Sequence, residues 1–216
     1  MNEIKEYKNI ERVYQGFLAR HFFDVARSLY FGQDQKARRD AVEALGIKEG
    51  SRVLLIGCGP GTDIPHLIAK VGKTGSIVAI EYVQAMINIA KSRAEKNGWN
   101  NIEFIQQDGS TIDYIGNFDA AMLALVLSVA PRWELMLEKT MLALKPGGSI
   151  AIVDEKIPTT GFIKIFMPLA HLFERASAAH IDRDIINEAQ KHIQNVQVKE
   201  YLFKLIFILT GTKRKL

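Results

Sequence analysis

The feature that most constrains this chain is an apolar run that gives way to a glycine loop, VLLIGCGPGTD at residues 53–63. Val53–Ile56 predicts a buried strand, because a short, branched, apolar run suits a strand that is covered on both faces. Glycines follow at every second position, and Asp63–Val71 predicts a helix that tolerates Pro65 in its first turn. This order of strand, glycine turn and helix predicts a parallel α/β unit.

The alternation of strand and helix continues along the middle of the chain. Further strands are predicted at Ser76–Ile80, Ile102–Gln106, Phe118–Leu123 and Ser149–Val153, and helices at Val83–Lys96 and Trp133–Leu144. Val196–Leu202 and Leu205–Thr212 are typical of two strands joined by a short turn. We therefore predict an α/β fold that is Rossmann-like and doubly wound. Its mostly parallel seven-stranded sheet would carry helices on both faces and a C-terminal antiparallel hairpin.

The length of 216 residues suits a single domain, which the sequence pattern divides into four parts. These are an N-terminal helical cap at 1–45, a core at 50–154, a helical insert at 155–194 and an edge hairpin at 195–212. One cysteine, Cys58, cannot form an intramolecular disulfide, which favours a reducing, cytoplasmic compartment. No apolar run reaches the roughly 20 residues that span a bilayer.

The charge of the chain argues against a nucleic-acid partner. The formal net charge is +4, without a dense basic stripe. Lys213, Arg214 and Lys215 place three positive charges at the end of the chain. We interpret them as a solubilising tail, and peripheral contact with anionic lipid at the membrane surface is the alternative. The sequence does not determine the oligomeric state.

The glycine loop indicates a ligand that approaches the backbone closely. Gly57, Gly59 and Gly61 leave room for it, and the following helix offers free N–H groups to a polar or anionic group. Glu81 ends the second predicted strand, 20 residues after Gly61, where an acid can accept hydrogen bonds from both hydroxyls of a ribose. Thr62 stands where a dinucleotide fingerprint has its third glycine, so a nucleoside without a pyrophosphate fits better than NAD. The alternative is a tight turn with a surface glutamate.

Four motifs in this order resemble the class I S-adenosylmethionine-dependent methyltransferases, in their quinone and phospholipid branch. They are Gly57-Cys58-Gly59-Pro60-Gly61, Glu81, Gln107-Asp108-Gly109 and Leu144-Lys145-Pro146-Gly147-Gly148, and the resemblance covers roughly residues 20–155. It implies S-adenosyl-L-methionine as the cofactor, with the glycine loop on its methionine part, Glu81 on its ribose and Asp108 on its adenine amino group. The cofactor-binding residues that it implies are Gly57, Gly59, Gly61, Asp63, Glu81, Tyr82, Asp108, Gly109 and Ala124.

Leu55 departs from this family, which usually has an acid at that position to help hold the amino group of the cofactor. A leucine cannot accept a charge-assisted hydrogen bond, which typically contributes about 1.5–3 kcal/mol. Asp63 is the nearest acid in sequence that could replace it. The departure leaves two hypotheses open, an enzyme with a substitute acceptor and a non-catalytic protein that binds S-adenosylmethionine.

Two stretches bear on the methyl acceptor. Leu127–Trp133 is similar to the Leu-Ser-x-x-Pro-x-Trp stretch of methyltransferases that act on amino head groups of lipids, and the apolar residues 161–173 suit an apolar ligand as well as plain core packing. With the basic tail, they favour a small amphiphilic or lipid-like substrate that is methylated at an amine. The alternative is a C- or O-methyltransferase of a quinone or small aromatic compound.

The catalytic candidates are His171, Tyr30 and Tyr14, which fall in the two segments predicted to cover the pocket. His171 is the first choice as a base or polar anchor, although a single histidine on a helix is more often structural. The tyrosines could supply a hydroxyl where the quinone and lipid methyltransferases often have Tyr-Asp and this chain has Phe23-Asp24. No His, Cys or Asp cluster has metal-ligand spacing, so we predict no metal.

Overall fold

The computed structural model describes residues 3–15, 32–157 and 177–214. The strands in these ranges are β1 (Arg52–Ile56), β2 (Ser76–Glu81), β3 (Ile102–Gln106), β4 (Phe118–Ala124), β5 (Leu144–Glu155), β6 (Gln194–Tyr201) and β7 (Ile206–Thr212). The helices are α1 (Glu3–Gln15), α2 (Gln33–Ala44), α3 (Ile64–Val71), α4 (Gln84–Asn97), α5 (Trp133–Ala143) and α6 (Ile185–His192).

All seven strands belong to one sheet with the order β3-β2-β1-β4-β5-β7-β6. The pairs from β3 through β5 are parallel, whereas β7 pairs antiparallel with both β5 and β6. The predicted Rossmann-like sheet with its C-terminal hairpin is therefore confirmed. The strand order reverses between β1 and β4, and in open α/β sheets ligands bind outside the carboxyl ends of the strands at such a point.

Helices cover both faces of the sheet, as the alternation along β1 requires. Leu54 and Ile56 pack into one apolar cluster with residues of α5 and α6. Val53 and Leu55 point to the other face and pack with residues of α2 and α3. Successive side chains of a strand point to opposite faces, so an apolar residue at every position is what a doubly covered strand needs.

Strand β5 begins five residues earlier than the predicted Ser149. Phe118 of β4 pairs with Leu144, but Ala120 already pairs with Ser149, so the residues between Leu144 and Ser149 form a bulge within the strand. The backbone of Lys213 holds this bulge from the other side, because its N–H donates to the Gly148 carbonyl at 2.8 Å. The breaker cluster thus ends α5, as predicted, and also begins the strand.

The C-terminal hairpin has a constrained turn. Leu202, Phe203 and Lys204 have positive φ angles of 43°, 53° and 72°, a conformation that L-residues other than glycine rarely adopt. Beyond the hairpin, the Lys213 ammonium donates to the carbonyl oxygens of Leu142 and Leu144 at 3.0 and 2.6 Å. This first lysine of the predicted basic tail is therefore tied to the sheet.

Candidate functional site

A crevice opens at the carboxyl ends of β1, β2 and β4, where the strand order reverses. Its empty volume, open mouth included, is about 1230 Å³. The loops that follow β1, β3 and β4 form its walls together with the ends of β2 and β5. Side chains of α1, α2, α4 and α5 and of the segment before α6 complete the lining. The predicted ligand site and the crevice therefore coincide in the fold.

The glycine loop is tied to β2 and faces the crevice. The N–H groups of Gly57 and Cys58 both donate to the Ile80 carbonyl, at 2.9 and 3.1 Å. Gly57 has a φ of +70°, and a Cβ there would lie 2.6 Å from the Val126 Cβ, so a larger residue does not fit. Gly59 also has a positive φ, of +51°, but a Cβ added to it would meet nothing within 4 Å. Gly59 therefore presents bare backbone to the open space.

Gly61 has a different surrounding from the other two glycines. It is buried and does not contribute to the crevice wall that the described residues form. A Cβ on Gly61 would lie 3.2 Å from the Ala90 Cβ of α4 and 3.1 Å from Ile64 Cδ1. The missing side chain lets these helices approach the loop, and a contact between Gly61 and the cofactor stays a prediction.

The carboxylate of Glu81 lies against the glycine loop. Its Oε2 accepts from the Gly59 N–H and its Oε1 accepts from the Val83 N–H, both at 2.9 Å. Burial raises the pKa of this carboxyl group. Each oxygen uses one acceptor position on the backbone and retains another, so the group can accept two further hydrogen bonds from a ligand in the crevice.

Asp108 lies at the same end of the crevice and is covered by α1. Its Oδ1 accepts from the Ser110 N–H at 2.8 Å, and its Oδ2 accepts from the Tyr7 hydroxyl. The Tyr7 ring contacts the Tyr82 ring with 5.2 Å between centroids, and the Tyr82 hydroxyl donates to Glu11 at 3.2 Å. Burial, together with the bond to Asp108, raises the pKa of Tyr7. The N-terminal helix thus forms a wall beside both predicted cofactor residues.

Gly109 and Ala124 complete the predicted set of cofactor residues. A Cβ on Gly109 would lie 2.7 Å from Ile56 Cγ2, so the loop after β3 can pack on β1 only with glycine here. Ala124 ends β4 and lines the crevice. Leu125 follows with a φ of +53°, and its N–H donates to the Val153 carbonyl at 2.7 Å. A strained residue that is not glycine at a crevice wall is typical of a functional site.

A buried ion pair between Arg38 and Asp63 forms part of the crevice wall. Arg38 Nη1 of α2 lies 2.6 Å from Asp63 Oδ2, and both residues line the crevice. Asp63 Oδ1 and Arg38 Nε are buried and have no hydrogen-bond partner in the described part of the chain. Buried polar atoms are normally satisfied. An acceptor and a donor left over side by side suit a zwitterionic ligand group, such as the ammonium and carboxylate of an amino acid.

Leu55, the residue that departs from the methyltransferase pattern, does not line the crevice. Its side chain is fully buried in the apolar cluster between the sheet and α2 and α3. The buried ion pair that lines the crevice combines Asp63, which the sequence suggested as a substitute acceptor, with Arg38, which it did not suggest. The sequence signal for Arg38 is weak, because KARRD resembles any charged helical stretch.

The catalytic candidates are only partly covered by the structure. Tyr14 lines the crevice, and its hydroxyl donates to the Ser177 carbonyl at 2.7 Å. Burial raises the pKa of Tyr14. Tyr30 and His171 lie outside the described residues. Glu155, at the end of β5, also lines the crevice and is buried, although the sequence analysis did not single it out.

Among the residues that the structure describes, no group of three or more His, Cys, Asp or Glu side chains could hold a metal ion. In those ranges no helix combines the length and the apolar character needed to cross a membrane.

A family model and two named relatives match this chain in sequence. The family model described as a methyltransferase domain matches residues 47–200. The demethylmenaquinone methyltransferase of Lactococcus lactis is 26% identical over 159 residues, 72% of this chain and 63% of that protein, and so is matched over less than two thirds of its length. The demethylmenaquinone methyltransferase of Bacillus cereus is 25% identical over 214 residues, 88% of this chain and 90% of that protein.

A solved structure shows the same fold. It is the crystal structure of a SAM-dependent methyltransferase from Aquifex aeolicus, which is 22% identical and has a TM-score of 0.57. The match covers 82% of this chain and 89% of that one.

Proposed function

Since this chain belongs to the methyltransferase domain family and is an S-adenosylmethionine-dependent methyltransferase, we propose that it methylates a small hydroxylated aromatic compound of the quinol type. The acceptor atom would be a ring carbon or a hydroxyl oxygen. The sequence analysis favoured an amine-bearing amphiphile and kept a quinone as the alternative. The relatives named for demethylmenaquinone support that alternative.

The described residues fit the cofactor. The unsatisfied atoms of Arg38 and Asp63 would hold its amino-acid end, Glu81 its ribose hydroxyls and Asp108 its adenine amino group. The bare backbone at Gly59 lets the ligand approach the loop. S-adenosylmethionine supplies a methyl group on a positively charged sulfur. The task of the protein is to hold the acceptor in line at near-attack distance and to exclude water.

The observation that carries the proposed acceptor is the apolar character of the remaining wall. The side chains that line this part of the crevice are mostly aliphatic, and they come from α1, α4, the loop after β4 and the segment before α6: Ile10, Met86, Val126, Val129, Ala130 and Ala179. Such a wall binds a flat, apolar ring by burying its surface. It offers few polar partners to a phosphorylated or heavily charged substrate.

The test is a methylation assay with acceptors of different chemistry. The purified protein is incubated with S-adenosylmethionine and a naphthohydroquinone, a catechol, a long-chain primary amine or phosphoethanolamine, and the products are identified by mass spectrometry. We expect one added methyl group on the hydroxylated aromatics. Methylation of the amines but not of the aromatics would overturn the proposal.

A variant identifies which products depend on this site. Glu81→Gln weakens the hydrogen bonds that are predicted between this side chain and the ribose hydroxyls. It should therefore reduce methylation of every acceptor by the same factor. Binding of S-adenosylhomocysteine, measured by calorimetry, should weaken with it. An acceptor whose methylation is unaffected by Glu81→Gln is modified elsewhere or by a contaminant.

A further inference from the structure

We propose that Arg183 is a positioning residue for the methyl acceptor, because it joins two segments that form the apolar wall of the crevice. The inference rests on the proposed function, in which this wall receives the acceptor. The two segments are the loop after β4, residues 125–132, called the β4 loop, and the segment before α6, residues 177–184. Arg183 belongs to the second segment and bonds the first. It is not among the residues that form the described crevice wall, so it acts through the loop.

The β4 loop has a conformation that needs support from outside. Leu125, at its start, has a φ of +53°, in a region that L-residues other than glycine rarely adopt. Such residues persist only where the surrounding contacts determine their conformation. Within the loop, the N–H groups of Val129 and Ala130 donate to the Val126 carbonyl at 3.2 and 2.8 Å, which closes a single turn. Other backbone groups of the loop are bonded by two charged side chains from outside it.

Asp154 bonds two N–H groups of the β4 loop. Its Oδ2 accepts from the N–H groups of Leu127 and Ser128 at 3.0 and 3.2 Å. Its Oδ1 accepts from the N–H of Glu155 at 2.8 Å, and the Asp154 side chain is fully buried. The carboxylate therefore fixes N–H groups of the loop to β5, whereas the carbonyl groups of the same turn need a donor.

Arg183 is the donor to these carbonyl groups. Its Nη1 donates to the carbonyl oxygens of Leu127 and Ala130 at 2.5 and 2.7 Å. This nitrogen carries two N–H groups, so it can make both bonds. The Arg183 Cζ also lies 5.9 Å from the centroid of the Trp133 ring, within the range of a cation–π contact. Arg183 therefore holds the β4 loop between the segment before α6 and the first residue of α5.

The segment that carries Arg183 also contributes to the acceptor wall. Ala179 lines the crevice, and the N–H of the next residue, His180, donates to the Ser128 carbonyl at 2.7 Å. Bonds from this segment to the β4 loop therefore set the distance between two parts of the wall. A ring that is bound between them depends on that distance.

The cofactor end of the crevice is bonded to other elements. Glu81 accepts from the glycine loop and from the residue before α4, and Asp108 accepts from its own loop and from α1. None of these four bonds involves the β4 loop or the segment before α6. We therefore expect a change at Arg183 to affect the acceptor and to leave the cofactor affinity unchanged.

Lys213 offers a matched control. Its ammonium also donates to two carbonyl oxygens, at 3.0 and 2.6 Å, and burial lowers the pKa of Lys213 as it lowers that of Arg183. Lys213 follows β7, which pairs antiparallel with β5, so it lies at the amino end of β5. The crevice opens at the carboxyl ends of the strands. Lys213→Met therefore removes the same kind of contact at the opposite edge of the sheet.

The first test compares Arg183→Met, Arg183→Lys and Lys213→Met with the wild type on the best acceptor of the methylation assay. A shift of about 1 Å in a supporting residue can lower the rate about 10²-fold, so we expect kcat/KM of Arg183→Met for the acceptor to fall about 10–100-fold, chiefly through a higher KM. Arg183→Lys keeps the charge but not the planar group, so it should recover part of the loss. Lys213→Met should have the kcat/KM of the wild type, and S-adenosylhomocysteine should bind all four proteins with equal affinity.

Two results would overturn the assignment. One is a wild-type kcat/KM for the acceptor in Arg183→Met. The other is an equal loss of acceptor kcat/KM and of S-adenosylhomocysteine affinity, which is what a purely structural role predicts. If Arg183→Met does not fold, Arg183→Lys decides between the two roles. A higher acceptor KM with unchanged S-adenosylhomocysteine affinity supports positioning, and a wild-type KM contradicts it.

The second test does not depend on turnover. Amide hydrogen exchange, measured in the complex with S-adenosylhomocysteine, should be faster across residues 125–132 in Arg183→Lys than in the wild type, and unchanged across β2. Unchanged exchange in the β4 loop would contradict the role of Arg183.

The inference and the proposed function can fail separately. If the wild type methylated only amines, the proposed function would be wrong. A higher KM of Arg183→Met for those amines would still support the positioning role.

Discussion

At the scale of single residues, the Arg38–Asp63 ion pair links stability to ligand binding. Asp63→Asn leaves the buried guanidinium without its counter-charge, so we expect the free energy of unfolding to fall by about 3–5 kcal/mol. The same change removes the negative charge that is predicted to hold the ammonium of the cofactor. Urea unfolding measures the first effect, and calorimetry with S-adenosylhomocysteine measures the second.

The double variant Arg38→Met/Asp63→Leu separates the two effects. Replacing both members of a buried pair with apolar residues of similar volume often costs little stability. We therefore expect most of the stability to return while cofactor affinity stays low. If affinity returned together with stability, the pair would be structural and another group would hold the amino-acid end.

Two glycines of the loop provide a matched comparison. Gly59→Ala adds a methyl group that meets nothing within 4 Å, so the cost to the free energy of unfolding is that of the left-handed backbone, roughly 1–2 kcal/mol. Gly57→Ala adds a clash with Val126 and should cost about 1–3 kcal/mol more. Thermal and urea unfolding should show that the wild type is the most stable, followed by Gly59→Ala and then Gly57→Ala.

The affinity for S-adenosylhomocysteine tests the loop independently of its stability. Gly59 lines the crevice, and a methyl group added there would occupy open space, so S-adenosylhomocysteine should bind Gly59→Ala about tenfold more weakly, a loss of about 1.4 kcal/mol. Undiminished binding to Gly59→Ala would show that the ligand does not approach this part of the loop.

Spacing in the sequence was enough to locate some of these residues but not others. Gly57, Gly59 and Glu81 were predicted because a loop after one strand and the end of the next strand must be neighbours in a parallel sheet. Arg38 could not be found in this way, because its place depends on how α2 packs across the sheet. Glu155 was missed because two adjacent acids give no sign of which one faces the crevice.

At the scale of elements, Asp40 ties α2 to the edge strand β6. Its Oδ2 accepts from Lys199 at 2.5 Å, from the Tyr201 hydroxyl at 2.6 Å and from Lys36 at 3.1 Å. The hydrogen bonds from Lys199 and Tyr201 lower the pKa of this carboxyl group. A lowered pKa in the folded state means that the contribution to stability is complete above the unfolded pKa and is lost as pH falls.

We therefore expect Asp40→Asn to destabilise the protein by about 1 kcal/mol at pH 7, since the site is partly exposed. The difference from the wild type should shrink as the pH falls below about 4, where the unfolded aspartate gains its proton. Urea unfolding at pH 7 and at pH 3 measures both values. If Asp40→Asn lowered the free energy of unfolding by the same amount at both pH values, the ionised carboxylate would not be the group that holds β6.

The elements themselves were largely predictable from sequence. Apolar runs and stop signals such as Gly98 gave the strands and helices through α5 to within a residue or two at most ends. The early start of β5 was missed because Pro146, Gly147 and Gly148 are strand breakers locally, and only pairing with β4 and the Lys213 backbone makes them part of the sheet. The turn at Leu202–Lys204 carries no glycine, so its left-handed conformation had no sequence signal.

At the scale of the whole molecule, ligand binding to the folded state should raise its thermal stability. At a ligand concentration of 100 times Kd the gain is about 2.7 kcal/mol. For a domain of this size that corresponds to a rise in Tm of roughly 5–10 °C. We expect this shift with S-adenosylhomocysteine and none with NAD. A shift with NAD of equal size would contradict the nucleoside site inferred from Thr62 and Glu81.

The adenine position predicted at Asp108 would be shared with the N-terminal helix. Each carboxylate oxygen of Asp108 already accepts one hydrogen bond, from the Ser110 N–H or from the Tyr7 hydroxyl, and retains a second acceptor position for an amino group. A ligand bound there would therefore lie directly beside a side chain of α1, more than a hundred residues away in sequence.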